Sequence, residues 1–330
     1  MRHALRLGNI CAALAIAACA ASCGSGSKVV IAVIPQTEGN LIWEAAHVGV
    51  ATGADRTGAL IYWNAPTRED DVEAQIALVE RVTGGGYQGL VLAPDQALSL
   101  ISPVRTALAR GIPTVIIGSP LPIPAGGNLS YILNDDQLGG QLAAKRVAEL
   151  LHGRGSVAMI GVNPDVTATM IRARSFEEYL VQNFPGIRII GRRMGSYNVP
   201  HEQQVAEDTL RMHPDLDVIV AFMSTSVDGT MAALSASPAR RSIRVIGFDL
   251  GGYPSFERNP NLDCAIQEDT RSMGETAIEL IQARRHGQPA PSLIRLPPAL
   301  IDKDNINTPR VQAMLSQDWT LGHTHWSSVR

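Results

Sequence analysis

The chain is expected to form an α/β protein of two Rossmann-like lobes with parallel sheets, and three observations carry that expectation. Short β-branched apolar runs alternate with longer amphipathic stretches along most of the chain, the pattern of strands joined by helical crossovers. The alternation restarts after Asn134-Asp135-Asp136, which leaves two halves of about equal length. One run, Arg244-Val-Ile-Gly-Phe-Asp-Leu-Gly-Gly252, closes on an acid and two glycines, so Asp249 stands where a buried strand ends and the backbone turns.

The first half opens with a continuous apolar strand over 29–34, a loop to Gly39 and an amphipathic helix over 40–55. Strands follow over 59–63, 89–92 and 114–117, with helices over 69–83 and 98–110 between them, and this half ends near Ile132. In the second half helices over 137–151, 168–183, 201–212 and 227–236 alternate with strands over 156–160, 187–191, 218–221 and 245–248. A strand over 262–266, a helix over 273–285 and a last strand near 299–301 complete it. Right-handed crossovers between such strands cover both faces of a parallel sheet with helices. With no Pro/Ser-rich linker between the halves, paired lobes with a ligand between them are expected. The polar segment from Asn305 onward reads as a poorly ordered or surface-docked tail.

A composition of 45% hydrophobic and 18% charged residues over 330 positions excludes a disordered or fibrous chain and suffices for two domains. Net charge is −3 with no basic cluster, which excludes a nucleic-acid partner. Arg2 and Arg6 precede an apolar segment over 7–21 that is too short to span a bilayer and reads as an export signal. It resembles a bacterial lipoprotein signal, with two candidate lipidation sites. Cys19 has the large aliphatic Ile16 three residues upstream; Cys23 is followed by the flexible Gly24-Ser-Gly-Ser27. A plain cleaved secretory signal is the alternative. Either way the protein is exported to the periplasm or cell surface, in the first case anchored to the membrane by lipid. Cys264, the one cysteine beyond the leader, lies in an apolar run and reads as a small buried hydrophobe.

Several chemical motifs are absent or misplaced. Gly84-Gly-Gly-Tyr-Gln-Gly89 matches a dinucleotide fingerprint as text, but it follows a helix and precedes a strand, so no helix amino terminus meets a phosphate. There is no phosphate-loop ending, no paired-histidine zinc motif and no nucleophile elbow. His323-Thr-His325 lacks a third ligand nearby. The expectation is no catalytic residue, no metal and no cofactor; paired carboxylates at Asp249 and Glu268 are the one enzymatic alternative.

The order of elements, with several local strings, resembles the periplasmic sugar-binding proteins of type I, the ribose-binding-like proteins of ABC transporters. The strings are Gly39-Asn-Leu-Ile-Trp43, Gly111-Ile-Pro-Thr-Val115, Asn134-Asp-Asp136, Arg172-Ala-Arg-Ser-Phe176, Val245-Ile-Gly-Phe-Asp249 and Ile266-Gln-Glu268 before Met273-Gly274. The resemblance runs from Lys28 to about Asp304. It implies a three-segment hinge, with one lobe from 28–132 plus 269–296, the other from 133–268 plus 297–304, a leader over 1–27 and a tail over 305–330. It also implies a monomer that closes on a small polyhydroxylated ligand and is read by ABC transporter membrane subunits. A receptor reading the same closed form is the alternative. A transcription regulator of related core would need a basic helix-turn-helix where the leader stands.

Carried over position by position, the resemblance assigns ligand contacts to Asn40, Trp43, Ser119, Arg172, Thr225, Asp249 and Glu268. Trp43 offers a flat ring to sugar C–H groups if exposed, or packs inward as a helix residue. Asn40 is a polar contact or a plain helix cap. Arg172 brings a fixed fork of donors that bridges neighbouring hydroxyls, whereas Arg174 reads as solvated. Asp249 and Glu268 accept from hydroxyls, Glu268 where an amide is usual, and Thr225 stands where an asparagine is common. The departure is at Gly118-Ser119, where an aspartate is frequent; Asp95 is a substitute acceptor or a loop acid.

Overall fold

The computed structural model describes residues 28–38, 40–68, 70–237, 242–250 and 254–318. Cys19 and Cys23, and Trp319, His323, His325 and Trp326, lie outside the described residues. Along the first half run β1 (Val30–Ile34), α1 (Ile42–Thr57), β2 (Leu60–Trp63), α2 (Val72–Gly84), β3 (Gly89–Leu92), α3 (Ile101–Ala109), β4 (Thr114–Gly118) and β5 (Leu129–Asn134). The second half holds α4 (Asp136–Leu150), β6 (Gly155–Val162), α5 (Thr167–Asn183), β7 (Ile187–Met194), α6 (Val199–Met212), β8 (Val218–Ala221), α7 (Ser224–Ser235) and β9 (Arg244–Phe248). Then come β10 (Leu262–Gln267), α8 (Thr270–Arg285), β11 (Leu293–Leu296), β12 (Ala299–Asp302) and α9 (Pro309–Leu315).

These strands form two six-stranded sheets, ordered β11-β5-β4-β3-β1-β2 and β12-β10-β9-β8-β6-β7. Pairing is parallel throughout, except that β12 lies antiparallel to β10. Each strand sends alternate side chains to opposite faces, so each sheet feeds two cores. On the first sheet Ile31, Val33, Val91 and Val115 meet α1 and α8, while Ala32, Ile34, Leu90 and Leu92 meet α2 and α3. The second sheet repeats the arrangement, with α6, α7 and α9 on one face and α4 and α5 on the other. Burying each Val, Leu or Ile contributes about 1.5–3 kcal/mol, so these four layers dominate the stability.

Four helices begin with the side chain of an acid or amide accepting from the amide three residues on: Asp71 from Ala74, Asp135 from Leu138, Asn198 from His201 and Asp269 from Ser272. Each such cap is worth about 1 kcal/mol. Asp135 and Asp269 also mark two of the three places where the chain passes between sheets, after β5 and after β10; the third lies between β11 and β12.

Three features differ from the sequence expectation. The strands β5 and β11 are additional. Ser130 interrupts the apolar run of β5, and its hydroxyl donates to the Pro291 carbonyl and accepts from the Arg284 guanidinium, both from the far end of the chain. The prolines around β11 read as loop, yet pairing with β5 at the sheet edge makes it a strand. The tail is helical over α9, where Val311 and Met314 enter the second lobe's core and Arg271 Nη1 donates to the Ala313 carbonyl at 2.9 Å.

Candidate functional site

In both sheets the first strand of the half lies between its second and third, so successive connections diverge and open a crevice beyond the strands' carboxyl ends. The two crevices face each other across one cavity of ≈ 80 Å3. The first lobe lines it with Gln36 after β1, Asn40, Ile42 and Trp43 at the start of α1, Gly118 at the end of β4 and Ser119 after it. The second lobe contributes Thr169 and Arg172 from α5, Tyr197 after β7, Phe222 to Ser224 after β8, Asp249 after β9 and Glu268 after β10.

Arg172 organises the floor. It is 3% exposed, and Nε donates to Asp136 Oδ1 at 2.7 Å while Nη1 and Nη2 donate to Asp249 and Glu268. Its guanidinium lies 5.0 Å over the Phe248 ring, which stacks on Phe222. The helix bearing it can approach α4 because Gly140 has no side chain: a Cβ there would sit 2.3 Å from the Arg172 carbonyl oxygen. Asp249 adopts φ 51°, a left-handed conformation that costs a non-glycine residue about 1–3 kcal/mol. That turn lets Oδ1 accept from the Glu268 amide at 3.1 Å while Oδ2 accepts from the guanidinium.

The cluster is short of positive charge. Burial, reinforced by Asp249 and Asp136 and opposed by Arg172, pushes the Glu268 carboxyl up to about 8. Burial likewise raises the Asp136 carboxyl above its ordinary value despite its bond to Arg172. The Arg172 guanidinium loses solvation by burial, yet its carboxylate partners more than offset this and hold it protonated.

Six of the seven residues named from sequence line this one cavity: Asn40, Trp43, Ser119, Arg172, Asp249 and Glu268. Asn40 makes two bonds at this edge of the cavity. Oδ1 accepts from the Ile42 amide at the helix start, and Nδ2 donates across the cleft to Ser224 Oγ, both at 3.1 Å. Trp43 is 4% exposed rather than an open platform, because α1 begins at Ile42 and turns the ring into the core. It still reaches the cavity wall, where a Cβ on Gly118 would stand 3.5 Å from its Cη2. Thr225 is the residue that departs: its hydroxyl donates to the Ser196 carbonyl at 2.8 Å, and it faces an adjoining cavity instead. Ser224, one residue earlier, takes the wall position, since α7 starts there. Arg174 is solvated as expected, and Cys264 is buried.

Sequence reasoning missed the residues that hold the site in place. Asp136 was visible only as part of Asn134-Asp-Asp136; because Asp135 caps α4, its neighbour is free to meet Arg172. Glu202 accepts from Ser196 N, Ser196 Oγ and Ser226 Oγ, fixing the loop that carries Tyr197. Gln75 ties the β1 and β3 loops together through Pro35 O, Ala93 O and Asp95 N. Among the described residues no cluster has the make-up of a metal site.

A doubly wound, two-lobed protein with a polar interlobe cavity is the architecture of a binding protein, and the chain belongs to the periplasmic binding protein domain family, whose model matches residues 31–289. Among characterised relatives it is similar to the D-apiose import binding protein of Paraburkholderia graminis, 29% identical over 182 residues, 55% of this chain and 57% of that protein. It is also similar to the ribose import binding protein of Bacillus subtilis, 22% identical over 276 residues, 83% of this chain and 87% of that one. The match thus spans little more than half the length of the first relative. An ABC transporter solute binding protein from Agrobacterium vitis, solved with bound α-D-tagatopyranose, shares the fold with a TM-score of 0.80 at 23% identity, covering 87% of this chain and 99% of that one. A carbohydrate transporter solute binding protein from Agrobacterium radiobacter, in complex with D-arabinose, aligns with a TM-score of 0.78 at 20% identity over 88% and 100% of the two chains.

Proposed function

We propose that the protein captures a sugar or sugar-like polyol outside the cytoplasm and delivers it to the membrane subunits of an ABC transporter. The observation that carries this reading is the convergence of Asn40 and Trp43 from one lobe with Arg172, Asp249 and Glu268 from the other on a single cavity. A guanidinium fork and acceptor carboxylates suit neighbouring hydroxyls, and aromatic edges suit the ring's C–H faces. The import roles and sugar ligands of the relatives support the same class of solute. Ligand groups bridging the lobes favour the closed arrangement and shift the population toward it. The transporter would read that closed form. A lipid on Cys19 or Cys23 would keep the monomer near its transporter; replacing each cysteine by serine and following detergent partition tests the anchor.

Thermal-shift screening of the domain from Lys28 onward against pentoses, hexoses and polyols tests the reading. A ligand at a hundred times its Kd stabilises by about 2.7 kcal/mol, a shift that is easily measured. A panel in which no sugar or polyol moves the melting temperature, while some other solute class does, would overturn it.

A further inference from the structure

The charge of the cleft points to a narrower class of ligand. Arg172 faces three carboxylates, and all four side chains are nearly buried: 4% exposed for Arg172, and 5%, 14% and 10% for Asp136, Asp249 and Glu268. One positive against three negative groups leaves a formal charge of −2 when all are ionised. Among the described residues lining the cavity there is no lysine, no histidine and no second arginine. Uncompensated charge away from water is costly, so the cluster must bind protons or receive a cation. Burial first, and the neighbouring carboxylates second, raise Glu268 and Asp136 toward their protonated forms.

The walls offer a second answer. Asp249 and Glu268 line the cavity together with the aromatic side chains of Trp43, Tyr197 and Phe222. Carboxylates beside aromatic rings are the chemistry that recognises an ammonium group, by charge-assisted hydrogen bonds and attraction to ring faces. Trp43 adds a separate observation: its indole Nε1 is buried without a hydrogen-bond partner, and the ring borders this cavity. That donor suits an oxygen acceptor, so the ligand carries hydroxyl or ether oxygens as well as charge.

We propose that the cleft selects a sugar or polyol bearing a primary ammonium group, seated against Asp249 and Glu268. This rests on the sugar-binding reading and narrows it. A neutral sugar meets Glu268 in its protonated form, whereas an ammonium ligand restores the charge balance and lets Glu268 ionise. The selectivity therefore resides in Glu268, and the binding of the charged ligand expels a proton.

Matched pairs test this at pH 7: glucosamine with glucose, galactosamine with galactose, mannosamine with mannose, and 1-amino-1-deoxysorbitol with sorbitol. Titration calorimetry in buffers of different ionisation enthalpy reads both affinity and proton release. In at least one pair the amino compound should bind tenfold or more tighter, with proton release, and Glu268→Gln should cut that ratio at least tenfold. The proton count is measured on the unaltered protein, so it stands even if the variant folds poorly. Binding confined to neutral sugars, or equal affinity within the pairs, would overturn the ammonium assignment and leave the sugar-binding reading standing. Failure of every compound, together with the pentose, hexose and polyol panel, would overturn both.

Discussion

The three carboxylates that hold Arg172 come from three junctions of the chain: Asp136 opens α4, Asp249 follows β9 and Glu268 follows β10. Twice a capping acid and a site acid are sequence neighbours, Asp135 beside Asp136 and Asp269 beside Glu268. The residue that starts the helix thereby aims its neighbour at Arg172. Removing the guanidinium would leave three buried carboxylates without their cation, so Arg172→Ala should cost about 3–5 kcal/mol of stability and abolish ligand-induced stabilisation. Urea denaturation with and without ligand checks both effects. Glu268 gives the protein a pH dependence of definite sign. Its folded pKa of about 8 lies above the ordinary 4.5, so the stability it contributes is full below 4.5 and lost as pH rises through 8. The unliganded melting temperature should therefore decline from pH 5 to pH 8 more steeply in the native protein than in Glu268→Gln. Equal slopes would show that the proton sits elsewhere.

Helix α5 presents Arg172 to Asp136 only because α4 lies against it at Gly140. Gly140→Ala should separate the two helices, cost about 1–3 kcal/mol by overpacking and weaken ligand binding as the guanidinium withdraws. Chemical denaturation and a binding isotherm on the same sample separate these effects. Elements defined by their own pattern, such as the continuous apolar strands β1 and β9, were readable from sequence because burial on both faces selects β-branched residues locally. The strand β11 was not, because it pairs with β5, more than a hundred and fifty residues away, and β5, held between β4 and β11, was hidden by the serine in its apolar run. The site followed the same division. Asp249 and Arg172 announced themselves at a strand tip and in a short string, but Trp43's inward turn and Thr225's bond to Ser196 are set by where a helix starts relative to its neighbours. Gln75 carried no signal in the sequence; only the assembled strand tips show the carbonyls it serves.

Between the lobes, Asn40 Nδ2 to Ser224 Oγ is a direct bond across the cavity, made by residues 184 positions apart in sequence. A hydrogen bond of this kind contributes about 0.5–1.5 kcal/mol, so Asn40→Ala should raise Kd by about 2- to 10-fold through the closed arrangement. Small-angle scattering on the liganded variant should report a larger open fraction than in the native protein. The three passages between sheets have a consequence for how the molecule is made. The first sheet lacks its edge strand β11 and its covering helix α8 until almost the entire chain is available. A polypeptide emerging stepwise from a ribosome or a translocation channel thus carries an amino-terminal half whose Val91, Ile117 and Ile132 side chains have lost the apolar surface of Met273, Ala277 and Ile281. Completion of the earlier-synthesised lobe waits for the later one, so apolar surface of the nascent first lobe stays without its native cover until the last helix and strands arrive.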